Sequence, residues 1–268
     1  MLLIALLAIA TGTTPSCCQG MAALTLDPNF RALHELPVQE SFTPKYGEMK
    51  PVGGMNAFVT PASDGSHAAV IMFHEWWGLN NQIRETAEKL HEDTGVGVVA
   101  VDLYDGKVAS STDEAGQLVR SVNAGAARKK VDAVISAILH DNLVGKHISR
   151  IGTIGYCFGG GWSLQTALSD NNKVRACVMY YGYPELDLGR LRALKAPLLG
   201  FFGSQDKGIT PAIVDKFKDA LTADHKNFEI HSYDAPHAFA NPSNPHFNKE
   251  ATEDAWERTV AFVKKELG

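Results

Sequence analysis

The sequence predicts an α/β protein in which one mostly parallel sheet is covered by helices on both faces. From residue 68 to the C-terminus, short apolar runs that suit buried strands alternate with longer stretches of helical periodicity. This alternation favours a parallel sheet, because each crossover between parallel strands needs a connecting helix. No long linker or internal repeat interrupts the 268 residues, so we predict a single domain.

The predicted strands are continuous apolar runs, of which Ala69-Val70-Ile71-Met72-Phe73 is typical. Two edge strands come first, one near residues 38–43 and one at 54–60, which ends at Pro61. The buried strands follow at residues 68–73, 97–102, 150–155, 174–181, 197–202 and 228–233.

The predicted helices show apolar residues at helical spacing, as Ile83, Ala87 and Leu90 do on one face of the first. A proline in its first turn marks the start of the helix at 211–223. The helices lie at residues 82–94, 113–122, 125–141, 159–168, 211–223 and 250–267.

The N-terminal part divides into a leader-like segment at 1–20 and an irregular extension at 21–45, before the domain at 46–268. Nine apolar residues from Leu2 to Ala10 suit a signal peptide and are too short to cross a membrane. No Lys or Arg precedes them, and Met21 offers an alternative start. We therefore favour a cytoplasmic protein, with periplasmic or secreted location as the alternative if residues 1–20 act as a signal peptide.

Composition excludes several classes of function. The net charge is −5 with no basic block, which argues against nucleic-acid binding. The four cysteines have no disulfide-scaffold or zinc spacing, so we predict no zinc site. No apolar run reaches membrane length, so no integral span is expected.

The stretch Gly155-Tyr156-Cys157-Phe158-Gly159 follows a predicted strand and opens a predicted helix. This is the context of a nucleophile elbow, in which a sharp turn presents the nucleophile and leaves no room for bulky neighbours. The helix N-terminus favours a thiolate at Cys157. The alternative is a buried structural cysteine in a glycine-rich turn, which is the interpretation we give to Cys177 within its strand.

The chain order of such sites is nucleophile, acid, histidine, each in a loop after a strand. Asp206 follows the strand at 197–202, and His237 follows the strand at 228–233. Each alone could be an ordinary loop residue, but the ordered set predicts a Cys-His-Asp triad on an α/β-hydrolase fold. Asp234 is a competing acid that lies too close to His237 in sequence.

The loop after the strand at 68–73 reads His74-Glu75-Trp76-Trp77-Gly78-Leu79-Asn80. In the predicted fold, this loop supplies one oxyanion-hole N–H, and the residue after the nucleophile supplies the other. The alternative is that both tryptophans cover the sheet edge while Glu75 is solvated.

These segments together resemble the dienelactone hydrolase (carboxymethylenebutenolidase) family, from about Tyr46 onward. The resemblance rests on the Glu75 loop, the Cys157 elbow, and the stretches Val101-Asp102-Leu103-Tyr104, Gly203-Ser204-Gln205-Asp206 and His237-Ala238-Phe239.

The resemblance implies a role for each residue of the site. Cys157 attacks the carbonyl, His237 activates the thiol, and Asp206 orients His237. The backbone N–H groups of Trp76 and Phe158 hold the oxyanion. Glu75 helps to control the resting state of the thiol, and neither a metal nor an organic cofactor is needed.

The substrate is less well indicated. In members that act on dienelactones, an arginine four residues after the catalytic histidine binds the substrate carboxylate, and here that position is Asn241. Arg120 is a candidate for the family's other substrate-binding arginine. Trp77 and Tyr104 are further candidates, and the two tryptophans suggest an apolar or bulky acyl site.

We therefore predict a hydrolase of small esters or lactones that is a monomer or small homo-oligomer. Two alternatives remain open. One is a thioesterase or peptidase on the same triad, and the other is a non-catalytic thiol sensor that keeps the fold.

Overall fold

The computed structural model describes residues 16–32, 34, 41–169 and 173–268. These residues form one α/β domain around an eight-stranded sheet. The strands are β1 (Glu48–Val52), β2 (Met55–Thr60), β3 (Ala68–Phe73), β4 (Gly97–Val101), β5 (Arg150–Tyr156), β6 (Val174–Tyr180), β7 (Leu198–Gly203) and β8 (Phe228–Tyr233). The predicted fold class is confirmed.

The sheet order is β1-β2-β4-β3-β5-β6-β7-β8. The six strands from β3 to β8 pair in parallel, and β1 and β2 are antiparallel at one edge. Every residue of β3 and β4 is buried, as expected for strands covered on both faces. The carboxyl ends of the parallel strands meet at one edge of the sheet, where loops that carry function usually lie.

Helices connect the strands and cover the sheet. They are α1 (Ser16–Leu24), α2 (Pro28–Ala32), α3 (Asn81–Thr94), α4 (Thr112–Ser121), α5 (Ala124–His140), α6 (Phe158–Ala167), α7 (Leu188–Leu191), α8 (Pro211–Ala223) and α9 (Lys249–Leu267). The predicted helices agree with the observed ones to within two residues at each end. Within the described ranges, no helix is both long and apolar enough to span a bilayer.

The prediction of an irregular extension at 21–45 was wrong for its first part. Residues 16–24 and 28–32 are helical, so α1 crosses the boundary placed at residue 20. Asp27 accepts a hydrogen bond from Asn29 N at 2.8 Å, and Pro28 opens α2. An aspartate cap followed by proline is a standard helix start that the sequence analysis overlooked. The leader prediction for residues 1–15 falls outside the described residues.

The first edge strand was also misplaced. Residues 38–40 lie outside the described ranges, and residues 41–43 are not a strand. The first strand is β1, which turns into β2 through Gly53 and Gly54, both at positive φ. Two successive positive-φ residues form the tight turn that fits the twist of a hairpin.

Candidate active site

Cys157 lies at the sharp turn between β5 and α6. Its φ of 53° and ψ of −116° are strained for a residue with a side chain. A Cβ on Gly155 would come within 2.0 Å of Gly159 O, and a Cβ on Gly159 within 2.3 Å of Phe73 O. Both positions need glycine because main chain passes directly against main chain. The geometry is that of the predicted elbow.

Asp206 and His237 meet above the ends of β7 and β8. His237 Nδ1 lies 2.5 Å from Asp206 Oδ2, and both side chains are buried. The other carboxylate oxygen, Oδ1, accepts from Gly208 N at 2.8 Å and from Ile209 N at 2.9 Å. Asp206 is therefore held by its own loop and presents one oxygen to the imidazole.

The thiol of Cys157 completes this group. One ring nitrogen of His237, one ring nitrogen of His34 and Cys157 Sγ lie within 4.8 Å of one another. The structure thus brings together the three residues of the predicted triad. Because His34, Cys157 and His237 each offer one ligand atom, they are also a set that could coordinate a metal ion.

His237 and Asp206 each stabilise the charged form of the other. Burial alone would lower the pKa of His237, but Asp206 and Cys157 raise it well above its ordinary value. Burial would raise the pKa of Asp206, but His237 and the N–H donors of Gly208 and Ile209 together lower it. The arrangement therefore stabilises an imidazolium beside a carboxylate.

The two candidate oxyanion donors, Phe158 and Trp76, each lie in a hydrogen-bonded turn. Gly160 N donates to Cys157 O at 3.0 Å, and Gly78 N donates to Glu75 O at 3.2 Å. Phe158 and Trp76 are the second residues of these turns, and neither turn uses the N–H of its second residue. The candidate oxyanion donors therefore occupy equivalent places in two separate loops.

Buried polar contacts fix the Trp76 loop. Tyr104 Oη donates to Trp76 O at 3.1 Å. His74 Nδ1 lies 2.5 Å from Glu75 O, and its Nε2 accepts from Leu103 N at 3.1 Å. His74, to which the sequence analysis gave no role, thus ties the loop after β3 to the loop after β4.

The remaining predicted residues of this loop are packed against their neighbours. Trp77 is buried with its ring centroid 5.0 Å from that of Trp76, so the two rings pack edge to face. The alternative in which Glu75 is solvated is wrong, because its side chain is also buried.

Asn241 contacts Glu75. Its Nδ2 donates to Glu75 Oε2 at 2.6 Å, while Tyr181 Oη donates to Oε1 at 3.2 Å. Burial raises the pKa of Glu75, and these two hydrogen bonds and the charge of His237 oppose the rise. Asn241 Oδ1 accepts from Ser243 N at 2.9 Å, so both ends of this side chain are engaged.

The structure does not bring Arg120 into this buried cluster. Its side chain is exposed, and Nη1 donates to Thr25 Oγ1 at 2.8 Å. Arg120 therefore contacts Thr25, the residue that follows α1.

Sequence reasoning missed two residues that border the Cys-His pair. The ring of Phe30 lies 5.1 Å from His237 and 5.8 Å from Trp76, between centroids. The ring of His34 lies 5.0 Å from His237 and 4.4 Å from Trp76. We call residues 16–32 and 34 the N-terminal strap. No sequence motif predicts that the strap lies beside His237 and Trp76. Its apolar residues indicate only that part of it is buried.

Similarity to known proteins identifies the family of the chain. A model of the dienelactone hydrolase family matches residues 55–267. The chain belongs to the dienelactone hydrolase family. It is thereby placed among hydrolases of the carboxymethylenebutenolidase type, on the α/β-hydrolase fold. The strap lies outside the matched range.

Individual relatives are distant but cover most of the chain. A "Putative carboxymethylenebutenolidase" of Saccharolobus solfataricus is 26% identical over 74% of this chain and 89% of its own. One of the same name from Methylorubrum extorquens is 28% identical over 86% of this chain and 79% of its own. The crystal structure of a "Putative Dienelactone Hydrolase" from Klebsiella pneumoniae is 27% identical, with a TM-score of 0.69 over 78% of this chain and 92% of that one.

Proposed function

We propose that this dienelactone hydrolase family member cleaves small esters or lactones through a covalent thioester at Cys157. The observation that carries the proposal is the buried hydrogen bond between Asp206 and His237, with a ring nitrogen of His237 within 4.8 Å of the Cys157 thiol. A carboxylate that orients an imidazole, which in turn faces a nucleophile at an elbow, is the arrangement of nucleophilic acyl transfer.

In the proposed reaction, His237 holds the proton of Cys157 while the thiolate attacks the carbonyl carbon. A C–S bond forms, and the N–H groups of Trp76 and Phe158 donate to the oxyanion. When the acyl C–O bond breaks, His237 gives the proton to the leaving alkoxide. A water then loses a proton to His237 and attacks the thioester, and the thiolate leaves as the free carboxylic acid forms.

Glu75 is proposed to adjust the resting thiol through its effect on His237, the charge it faces across the site. Tyr104 and Asn241 bind Trp76 and Glu75 respectively, which supports positioning roles for them rather than direct contact with substrate. Trp77 packs against the ring of Trp76 and is proposed to contribute apolar packing to this loop.

The test compares hydrolysis of p-nitrophenyl acetate and dihydrocoumarin by the wild type, Cys157→Ala and His237→Ala. Turnover in the wild type and its loss in both variants is the expected result. Cys177→Ala is the matched control, because Cys177 lies buried within β6. Equal turnover by Cys157→Ala would overturn the proposal. Absence of turnover in the wild type, together with reversible oxidation of Cys157, would favour the thiol-sensor alternative.

A further inference from the structure

The N-terminal strap forms one side of the buried Cys-His pair. Met21 and Phe30 are each only 1% exposed, and Arg31 forms an ion pair with Asp113 of α4. The hydrogen bond from Arg120 to Thr25 adds a second attachment to α4. The strap is thus docked by apolar burial and by polar contacts on its outer side, and its inner residues border the catalytic groups.

His34 presents a lone pair to this site. Its Nδ1 lies 2.7 Å from Phe30 O, and a carbonyl can only accept, so Nδ1 carries the hydrogen. Burial lowers the pKa of His34 to about 3, so the ring is neutral at pH 7 and Nε2 is an acceptor. Nε2 is buried with no hydrogen-bond partner among the described residues. A buried acceptor without a partner costs free energy, which a ligand with a donor group would recover.

The surroundings of this acceptor are unfavourable for a carboxylate. No Lys or Arg is among the buried residues of the described ranges. Asn241, at the position of the family's carboxylate-binding arginine, has both ends engaged with Glu75 and Ser243. A substrate carboxylate here would meet a lone pair and an acidic side chain, and the nearby imidazolium of His237 is already paired with Asp206.

We infer that His34 is a specificity-determining residue, whose Nε2 accepts a hydrogen bond from a hydroxyl near the scissile carbonyl. The site then selects neutral hydroxy-substituted esters and lactones over carboxylate-bearing ones. This inference rests on the proposed function, since it needs the carbonyl at Cys157. The His34 ring nitrogen is within 4.8 Å of Cys157 Sγ. With a hydrogen bond of about 2.8 Å, a hydroxyl on the α- or β-carbon of the acyl group reaches it.

The experiment uses four matched lactones: γ-butyrolactone, its α-hydroxy and α-methoxy derivatives, and its γ-carboxylic acid. For the full chain, kcat/KM should be about tenfold higher for the hydroxy than for the methoxy compound, and lowest for the acid. His34→Phe keeps a ring in the same space and removes the acceptor, so the ratio should fall to about one. His34→Gln restores an acceptor and should recover part of the preference.

His140→Phe is the control, because His140 is exposed at the end of α5. It should leave the hydroxy-to-methoxy ratio unchanged. The same ratio in wild type and His34→Phe, or a preference for the acid, would overturn the inference while leaving the proposed function intact. If Cys157→Ala turns over γ-butyrolactone as well as the wild type does, or neither turns it over, the proposed function itself fails. Melting curves of both His34 variants show whether a changed ratio arises in a folded protein.

Discussion

Replacing Phe30 by alanine tests whether the strap is held over Cys157 and His237 by its apolar face. Phe30 is 1% exposed, and its ring packs against His34, Trp76 and His237. Truncation of a fully buried phenylalanine costs about 3–5 kcal/mol. The ring partners of Phe30 outside the strap, Trp76 and His237, lie in loops, so we expect this cost to fall on docking of the strap rather than on the sheet. Since about 1.4 kcal/mol corresponds to a tenfold change in an equilibrium constant, the undocked fraction should rise by about 10²-fold to about 4 × 10³-fold.

The measurement is the rate at which iodoacetamide alkylates Cys157, followed by mass spectrometry of the peptide that carries it. Cys157 is 1% exposed, so labelling should follow undocking, and Phe30→Ala should be labelled at least tenfold faster than the wild type. Phe247→Ala is the matched control, because Phe247 is 37% exposed. Unchanged labelling in Phe30→Ala, or a lower melting temperature without faster labelling, would refute a separately docked strap.

Further predictions follow from individual contacts. Asp206→Asn should lower kcat by about 10³- to 10⁴-fold, because the wrong imidazole tautomer is favoured; a loss below tenfold in steady-state assays would contradict the triad. Docking lowers the pKa of His34 from near 6.5 to about 3, so protonation of His34 favours the undocked strap. Docking should therefore be intact above pH 6.5 and weaken by up to about 1.4 kcal/mol per pH unit as the pH falls from 6.5 towards 3. Proteolysis of the strap should become faster over this pH range in the wild type and not in His34→Phe. Burial raises the pKa of Cys177 to about 11, so Cys177 should resist alkylation at pH 8 in the native protein and react after denaturation. In Gly159→Ala, the added Cβ would lie 2.3 Å from Phe73 O. This substitution should lower the free energy of unfolding by at least about 2 kcal/mol and abolish activity. An unchanged midpoint of chemical denaturation would show that the elbow can shift to accept the methyl group.

The sheet and the three predicted triad positions could be found from the sequence because each depends on local signals. The strands of the sheet are continuous apolar runs, and Cys157, Asp206 and His237 follow strand ends in a fixed chain order. The strap could not be located in this way. Its position depends on contacts between residues far apart in sequence, such as Arg120 with Thr25, for which no local pattern exists.

The hydrogen-bond partners of single polar residues are likewise not predictable from local sequence patterns. Asn241 was recognised as an unusual residue at an informative position, but its partner Glu75 lies 166 residues away in sequence. Sequence alone gave no reason to expect an amide–carboxyl pair. His74 looked unremarkable because its two hydrogen bonds go to main-chain atoms, which every residue type offers.

The contact of Gly159 with the main chain of Phe73 has a consequence for how such an enzyme can be altered. Since no side chain separates the elbow from the end of β3, substitutions cannot adjust the spacing between the thiol and the Trp76 loop in small steps. Changes of substrate range are easier where side chains alone meet the site, as Phe30 and His34 do. Libraries that vary these two positions and leave the sheet untouched are therefore the most direct route to new acyl preferences.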